Sequence, residues 1–389
     1  MSVSPKPVAR KILMTTPTYP PFNSGLGNAV QQQARALVSE GMDVTVATGG
    51  EKRAQRFDTL IGVPVEMFPI SGADSFLDPI KGDIQGYLDF LQSRSFDVIL
   101  MNAWQTWSSD VILKNINRIS GQKFLFSHGI STNLFLKPQP VRSLIRYLAW
   151  RPYWWKLPFY LKKLDGVIFL AAEGDGTRFD DLKVAKKIDR NFYIIPNSIS
   201  EYSKKFILNP VPKYDERNQI ISVGSFTWQK GFDFVLRSYA ASSYKNVFPL
   251  RLFGQERTGY IEYLKNLAGK LDILEDYLSF HEGVSGEDLI NEYLKARFFL
   301  CGSHTECQPL VILDANVTGT PFVARKTGCL SSMPGGYVVR SPEEAAIRMN
   351  DLMSSTKWLE LSDAGRLAAN NQYHPHNTTR LLIDAIGSP

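Results

Sequence analysis

Two carboxylates, Glu306 and Asp314, are separated by seven residues in GSHTECQPLVILDANVTGTP (302–321). The stretch reads as a strand end, a polar turn and a helix entered at Pro309, where proline suits the first turn because no N–H is needed there. The amides of Leu310 and Val311 would then be open donors at a helix start, a place for a diphosphate. Glu306 lies before that turn and Asp314 one turn inside the helix, so both can address one ligand from different heights, as acceptors for sugar hydroxyls. A second strand-to-helix loop, SVGSFTWQKGF (222–232), supplies Lys230 beside Gly231 as a counter-charge. His128 follows the apolar run KFLFS and precedes Gly129, a strand-end position where α/β folds hold ligands. These residue types bind phosphate and carbohydrate. Each also has a plainer reading: a solvated loop acid for Glu306, a complement to the helix dipole for Asp314, a surface lysine for Lys230 and a packed ring for His128.

Elements must position these groups, and the chain supplies a steady alternation of β-rich apolar runs with longer amphipathic segments. That rhythm predicts α/β architecture with parallel sheets and crossover helices. Strands are expected at 11–16, 44–48, 98–100, 123–127, 167–171 and 192–196, and again at 220–224, 250–254, 277–283, 297–303 and 321–328. The helix after the first strand opens at Gly25, Leu26 and Gly27, carries Ala29, Val30, Ala34, Leu37 and Val38 as its apolar stripe, and closes at Gly41. Periodicity lapses over 198–217, which reads as a connection between a domain at 1–197 and another at 218–370. A last short helix is expected at 376–386, with 371–389 packing back onto the first domain.

Bulk properties restrict the function classes. A chain of 389 residues with 44% hydrophobic and 21% charged residues is a globular protein of two or three cores. Cys301, Cys307 and Cys329 are odd in number and confined to one stretch, offering neither a disulfide framework nor zinc spacing, which fits a reducing cytoplasm. His281, His304, His374 and His376 form no metal-ligand pattern, and without an Asp-x-Asp no bridging divalent ion is indicated. Gly25 and Gly27 approximate a dinucleotide fingerprint, but position 30 is Val and Pro17, Pro20 and Pro21 intervene after the strand, which argues against NAD. No cofactor is expected. The opening residues read as a strand rather than a signal peptide, and no run approaches the roughly twenty apolar residues of a membrane span.

The net charge of +6 is unevenly placed: residues 1–195 hold 24 Lys and Arg against 17 Asp and Glu. Residues 137–163 carry Lys137, Arg142, Arg146, Arg151, Lys156, Lys162 and Lys163 with no acid, interleaved with Trp150, Trp154 and Trp155. Such a stretch is either a partly buried helix with a solvated face or an attachment to an anionic membrane, with Arg146, Arg151, Trp154, Trp155 and Lys156 at the surface. Nucleic acid is not expected, since no binding module accompanies the charge.

The motifs YPPFNSGLGNAVQQQARALVSEGMDVTVAT, FSHG, IIPNSIS, SVGSFTWQKGFDFVL and SHTECQPLVILDANVTGTPFVA occur in an order that resembles the retaining GT-B glycosyltransferases of family 4. The resemblance spans nearly the whole chain and implies two Rossmann-like domains facing an interdomain cleft. It implies that Glu306 contacts the donor sugar, Asp314 the nucleotide ribose and Lys230 the diphosphate. Gly25, Leu26 and Gly27 would approach sugar and phosphates, and His128 would lie at the reacting face. The donor would be a nucleoside-diphosphate sugar and the acceptor a glycan or lipid-linked glycan, with the protein cytoplasmic or peripheral on the inner membrane face. Two positions depart from the family pattern: Ser225 stands where a basic residue is usual, and Asp314 where Glu is usual. They keep open a catalytically degenerate nucleotide-sugar-binding homologue, and a GT-B-type nucleotide-sugar epimerase is a further alternative.

Overall fold

Strands buried on both faces have no polar side to show, so they appear in sequence as unbroken apolar runs. In the computed structural model, which describes residues 9–22, 24–130, 132–133, 140–255, 259–284 and 286–387, these runs form two parallel sheets. The chain divides into unit 1 (Met1–Glu173, Thr177–Asn197 and Pro375–Pro389) and unit 2 (Gly174–Gly176 and Ser198–His374).

Unit 1 contains β1 (Lys11–Thr15), β2 (Asp43–Gly49), β3 (Ala54–Asp58), β4 (Val63–Phe68), β5 (Ile70–Ser71), β6 (Lys81–Gly82), β7 (Val98–Asn102), β8 (Gln122–Ser127), β9 (Gly166–Phe169) and β10 (Tyr193–Ile194). Eight of them form a sheet in the order β10-β9-β8-β7-β1-β2-β4-β3, parallel except for β3 on β4, while β5 and β6 pair separately. β3 and β4 escaped the sequence reading because Pro64 and Glu66 interrupt the apolar run. Glu66 is 3% exposed and is neutralised by Arg94 at 2.8 Å and Arg53 at 3.5 Å. The helix Gly25–Ser39 follows β1, and Gly41 ends it with φ +84, its N–H donating to Val38 O. The final helix, Pro375–Ile386, packs on that helix within the same unit.

A second acid lies deeper in unit 1. Asp110 is 1% exposed, accepts from the Tyr153 hydroxyl at 2.9 Å and from the Asp74 amide at 2.8 Å, and is pushed up to about 7 by burial. A carboxyl whose folded pKa exceeds its unfolded value stabilises the fold below the unfolded pKa and loses that contribution as pH rises through the folded one. Denaturant titrations should therefore show wild-type stability falling between about pH 4 and 7 relative to Asp110→Asn, by on the order of 4 kcal/mol.

Unit 2 contains β11 (Gln219–Val223), β12 (Leu250–Gly254), β13 (Leu278–Glu282), β14 (Ala296–Cys301), β15 (Phe322–Arg325) and β16 (Gly336–Val339), all parallel, in the order β13-β12-β11-β14-β15-β16. The chain steps outward from β11 to β13 and then crosses back to β14. The strand order therefore reverses between β11 and β14, the place where open α/β sheets form a ligand crevice at their carboxyl ends. Phe226, Phe232, Leu236, Leu252, Phe298 and Leu300 fill the core around that junction.

The 198–217 stretch is part of unit 2 rather than a bare connection. Ile199 donates to Tyr373 O, and Arg217 is wholly buried. Its guanidinium donates to the carbonyls of Pro212, Tyr293, Ala296 and Thr318 and to Thr320 Oγ1, and lies 5.0 Å from the Trp358 ring centroid. Single side chains, not an apolar face, tie this segment down, so it shows no periodicity.

Candidate functional site

The loop after β11 turns through Trp228–Lys230 and reaches Gly231, whose φ of +61 starts the helix Phe232–Ala240. The loop after β14 runs through Gly302, His304 and Glu306. The two loops meet backbone to backbone: a Cβ on Gly231 would lie 2.1 Å from Gly302 O, and one on Gly302 2.0 Å from Gly231 O. The His304 amide donates to Gln229 O at 2.9 Å, fastening the same junction.

This approach brings together two of the residues singled out from sequence. Lys230 Nζ and Glu306 Oε1 lie 2.5 Å apart, with the carboxylate side chain 14% exposed. The Lys230 stem rests against Gly224, where a Cβ would meet Cγ at 3.3 Å. A third strand end supports Glu306: its amide donates to Thr327 Oγ1, and its carbonyl lies 2.5 Å from where Gly328, at φ +55, would carry a Cβ. Ser225 sits exposed at the loop crest.

The helix Leu310–Val317 begins after Pro309, which takes the N-cap position in extended conformation with no side-chain cap bond. No acid occupies its first turn, so its positive end is not already compensated there. Leu310 and Val311 are partly exposed. Asp314 does not simply open toward ligand: Oδ1 accepts from Ser200 Oγ at 3.0 Å, and burial pushes its pKa up to about 6. The sequence reading missed Ser200, an ordinary serine 114 positions away.

Unit 1 has its own reversal, between β1 and β7. Asn102, fully buried at the end of β7, donates through Nδ2 to Leu100 O, which turns Oδ1 toward His128 Nε2 at 3.3 Å. A carboxamide oxygen only accepts, so Nε2 carries the proton and Nδ1 the lone pair. The ring stacks on Phe126 at 5.0 Å, and its enclosure drives the pKa down to about 4, leaving a neutral imidazole at pH 7. The adjoining turn is held by Asp181, which accepts from Ser127 Oγ at 2.5 Å, while Ser127 Oγ accepts from the Gly129 amide. At the other reversal strand, Gly25 is exposed and Leu26 partly so, but Gly27 is buried and its amide is taken by Ser24 Oγ at 3.0 Å.

The basic aromatic residues part company. Arg151 bonds Tyr147 O and Asn133, Trp154 Nε1 donates to Thr132 Oγ1, and Lys156 pairs with Asp74 at 3.1 Å. Trp155 is 76% exposed. Arg146 is partly buried, and Lys137 lies outside the described residues.

Comparisons with known proteins agree with this arrangement. Residues 203–360 match the family model of glycosyl transferases group 1. Alpha-monoglucosyldiacylglycerol synthase of Streptococcus pneumoniae is 22% identical over 344 residues, covering 83% of this chain and 73% of the relative. Sucrose-phosphate synthase of Thermosynechococcus elongatus superposes with a TM-score of 0.72 at 16% identity over 96% of this chain and 98% of that one. HepE of Anabaena, solved in complex with UDP, gives 0.69 at 14% identity over 97% and 100%. Fold likeness extends over nearly the full length, so the chain has the GT-B fold, and the segment that matches the glycosyl transferases group 1 model lies within unit 2.

Proposed function

We propose that this chain transfers a sugar, with retention of anomeric configuration, from a nucleoside-diphosphate sugar to a hydroxyl of a glycan or lipid-linked glycan, in surface polysaccharide or glycolipid assembly. The observation that carries the reading is the Lys230–Glu306 pair, placed by the two strands at which the unit 2 sheet reverses. A lysine ammonium has three donors, so one can stay on Glu306 while others take phosphate oxygens. The amides of Leu310 and Val311 complete the anion cradle, and neutralisation by these groups makes a divalent ion unnecessary. Glu306 then accepts from the donor sugar hydroxyls and Asp314 from the ribose, with Ser200 orienting its carboxylate.

In the reaction the anomeric carbon–phosphate oxygen bond breaks, the acceptor oxygen bonds the same carbon from the same face, and its proton passes to the leaving phosphate. Charge leaves the sugar and gathers on the diphosphate, so stabilising that anion is the protein's main contribution. His128, neutral and with a lone pair on Nδ1, accepts from a sugar hydroxyl rather than donating a proton. Gly25 and Leu26 present backbone amides to the donor. The relative that makes a glucosylated diacylglycerol lends support to a lipid acceptor, and the UDP-bound HepE to a uridine donor.

Thermal-shift measurements across UDP, GDP, ADP and their sugar conjugates test the reading. A shift of several degrees with one nucleotide, lost in Lys230→Ala, is expected; no shift with any of them would overturn it. The exposed Ser225 and the Ser200-bound Asp314 favour one second reading, a degenerate binder. That protein would give the shift but release no nucleoside diphosphate from donor with any acceptor, whereas an epimerase would change the donor without one.

A further inference from the structure

The helix Pro140–Ala149 sits the wrong way round for a core. At 100° per residue, Val141, Leu144, Ile145 and Leu148 share one face, the spacing of a buried stripe. Their exposures are instead 69, 52, 50 and 59%, and the one buried residue of the helix is Ser143, on the opposite face. Exposed Arg142 borders the stripe beyond Ile145, while Arg146 lies round toward Ser143 and is partly buried. In the next helix, Arg151–Lys163, the core side is taken by Tyr153, Leu157, Tyr160 and Leu161. Its outer side shows Trp155 and Phe159, one turn apart, with Lys162 and Lys163 exposed beside them.

Charge decides what covers this surface. On these two helices Arg142, Lys162 and Lys163 are exposed and no acid occurs, whereas Lys156 is already paired with Asp74, so the partner that fits is apolar in depth and anionic at its rim. We infer that the Pro140–Ala149 stripe, with Trp155 and Phe159, inserts into the interface of an anionic phospholipid bilayer. Leucines, isoleucine and valine displace water among the acyl chains, the tryptophan sits at headgroup level, and Arg142, Lys162 and Lys163 meet the lipid phosphates. No described helix is long and apolar enough to cross a membrane, so the attachment is peripheral. The inference deepens the acceptor half of the function proposed above: a lipid-linked hydroxyl is reached by an enzyme that rests on the sheet of lipid holding it.

The test is co-sedimentation with vesicles of phosphatidylcholine alone and of phosphatidylcholine mixed with phosphatidylglycerol. Wild type should pellet with the mixed vesicles, release at high salt, and partition at least tenfold less with phosphatidylcholine. Leu144→Glu with Leu148→Glu, both at exposed positions, should abolish pelleting at every salt concentration, and Lys162→Gln with Lys163→Gln should weaken it roughly fivefold per charge. Equal pelleting on both lipids, or unchanged pelleting of the leucine variant, would overturn the inference, as would concentration-dependent self-association that the same leucine substitutions remove. Nucleotide thermal shifts on each variant keep the two proposals apart: a leucine variant that loses vesicles yet keeps the shift separates membrane docking from donor binding.

Discussion

Glu306→Gln is expected to lower the rate of sugar transfer by about two to three orders of magnitude, with the unfolding midpoint close to that of wild type. The carboxylate is held by the Thr327 hydroxyl through its backbone and by Lys230 through its side chain, so the loop has its own supports. Glutamine preserves shape and one acceptor oxygen but removes the charge that anchors both Lys230 and sugar hydroxyls. The loss should appear in kcat more than in KM for the nucleotide, because base, ribose and helix amides remain. Steady-state rates with the donor found by thermal shift check this, and a variant within a few-fold of wild type would remove Glu306 from the chemistry.

The largest effect on stability is expected at Arg217. Methionine there should cost on the order of 3–5 kcal/mol, because the buried guanidinium answers four carbonyls and a threonine hydroxyl that would be left without it. Burial already drives its pKa down to about 9, a sign of how little solvent supports the charge. Denaturant unfolding of Arg217→Met reads the loss directly. A change under about 1 kcal/mol would mean that water replaces the guanidinium at those carbonyls.

The main strands and the crossover helices were legible because parallel strands enclosed on both sides are apolar through most of their length, as VILM in β7 and FFLC in β14 are. Sheet order was not, since nothing local says that β14 returns to lie beside β11. For the same reason Glu306 and Lys230 were both visible as candidates, but their pairing across 76 positions came only with the fold. Asn102 and Ser200 carry no signal of their own; each matters through a neighbour supplied by another element. Arg217 looked like one more charge in a polar connection. The 142–163 stretch showed its amphipathic composition, yet only the inward Ser143 reveals which side of the first helix faces out.

The mutual approach of Gly231 and Gly302 has a consequence for how the acid and the ammonium keep their separation. Nothing but hydrogen fits between those α-carbons and the opposing carbonyls, so the spacing of the clamp is set by main chain rather than by rotamer choice. Neither position can acquire a methyl group on its own without prying the strand ends apart, and drift at one cannot be repaired at the other.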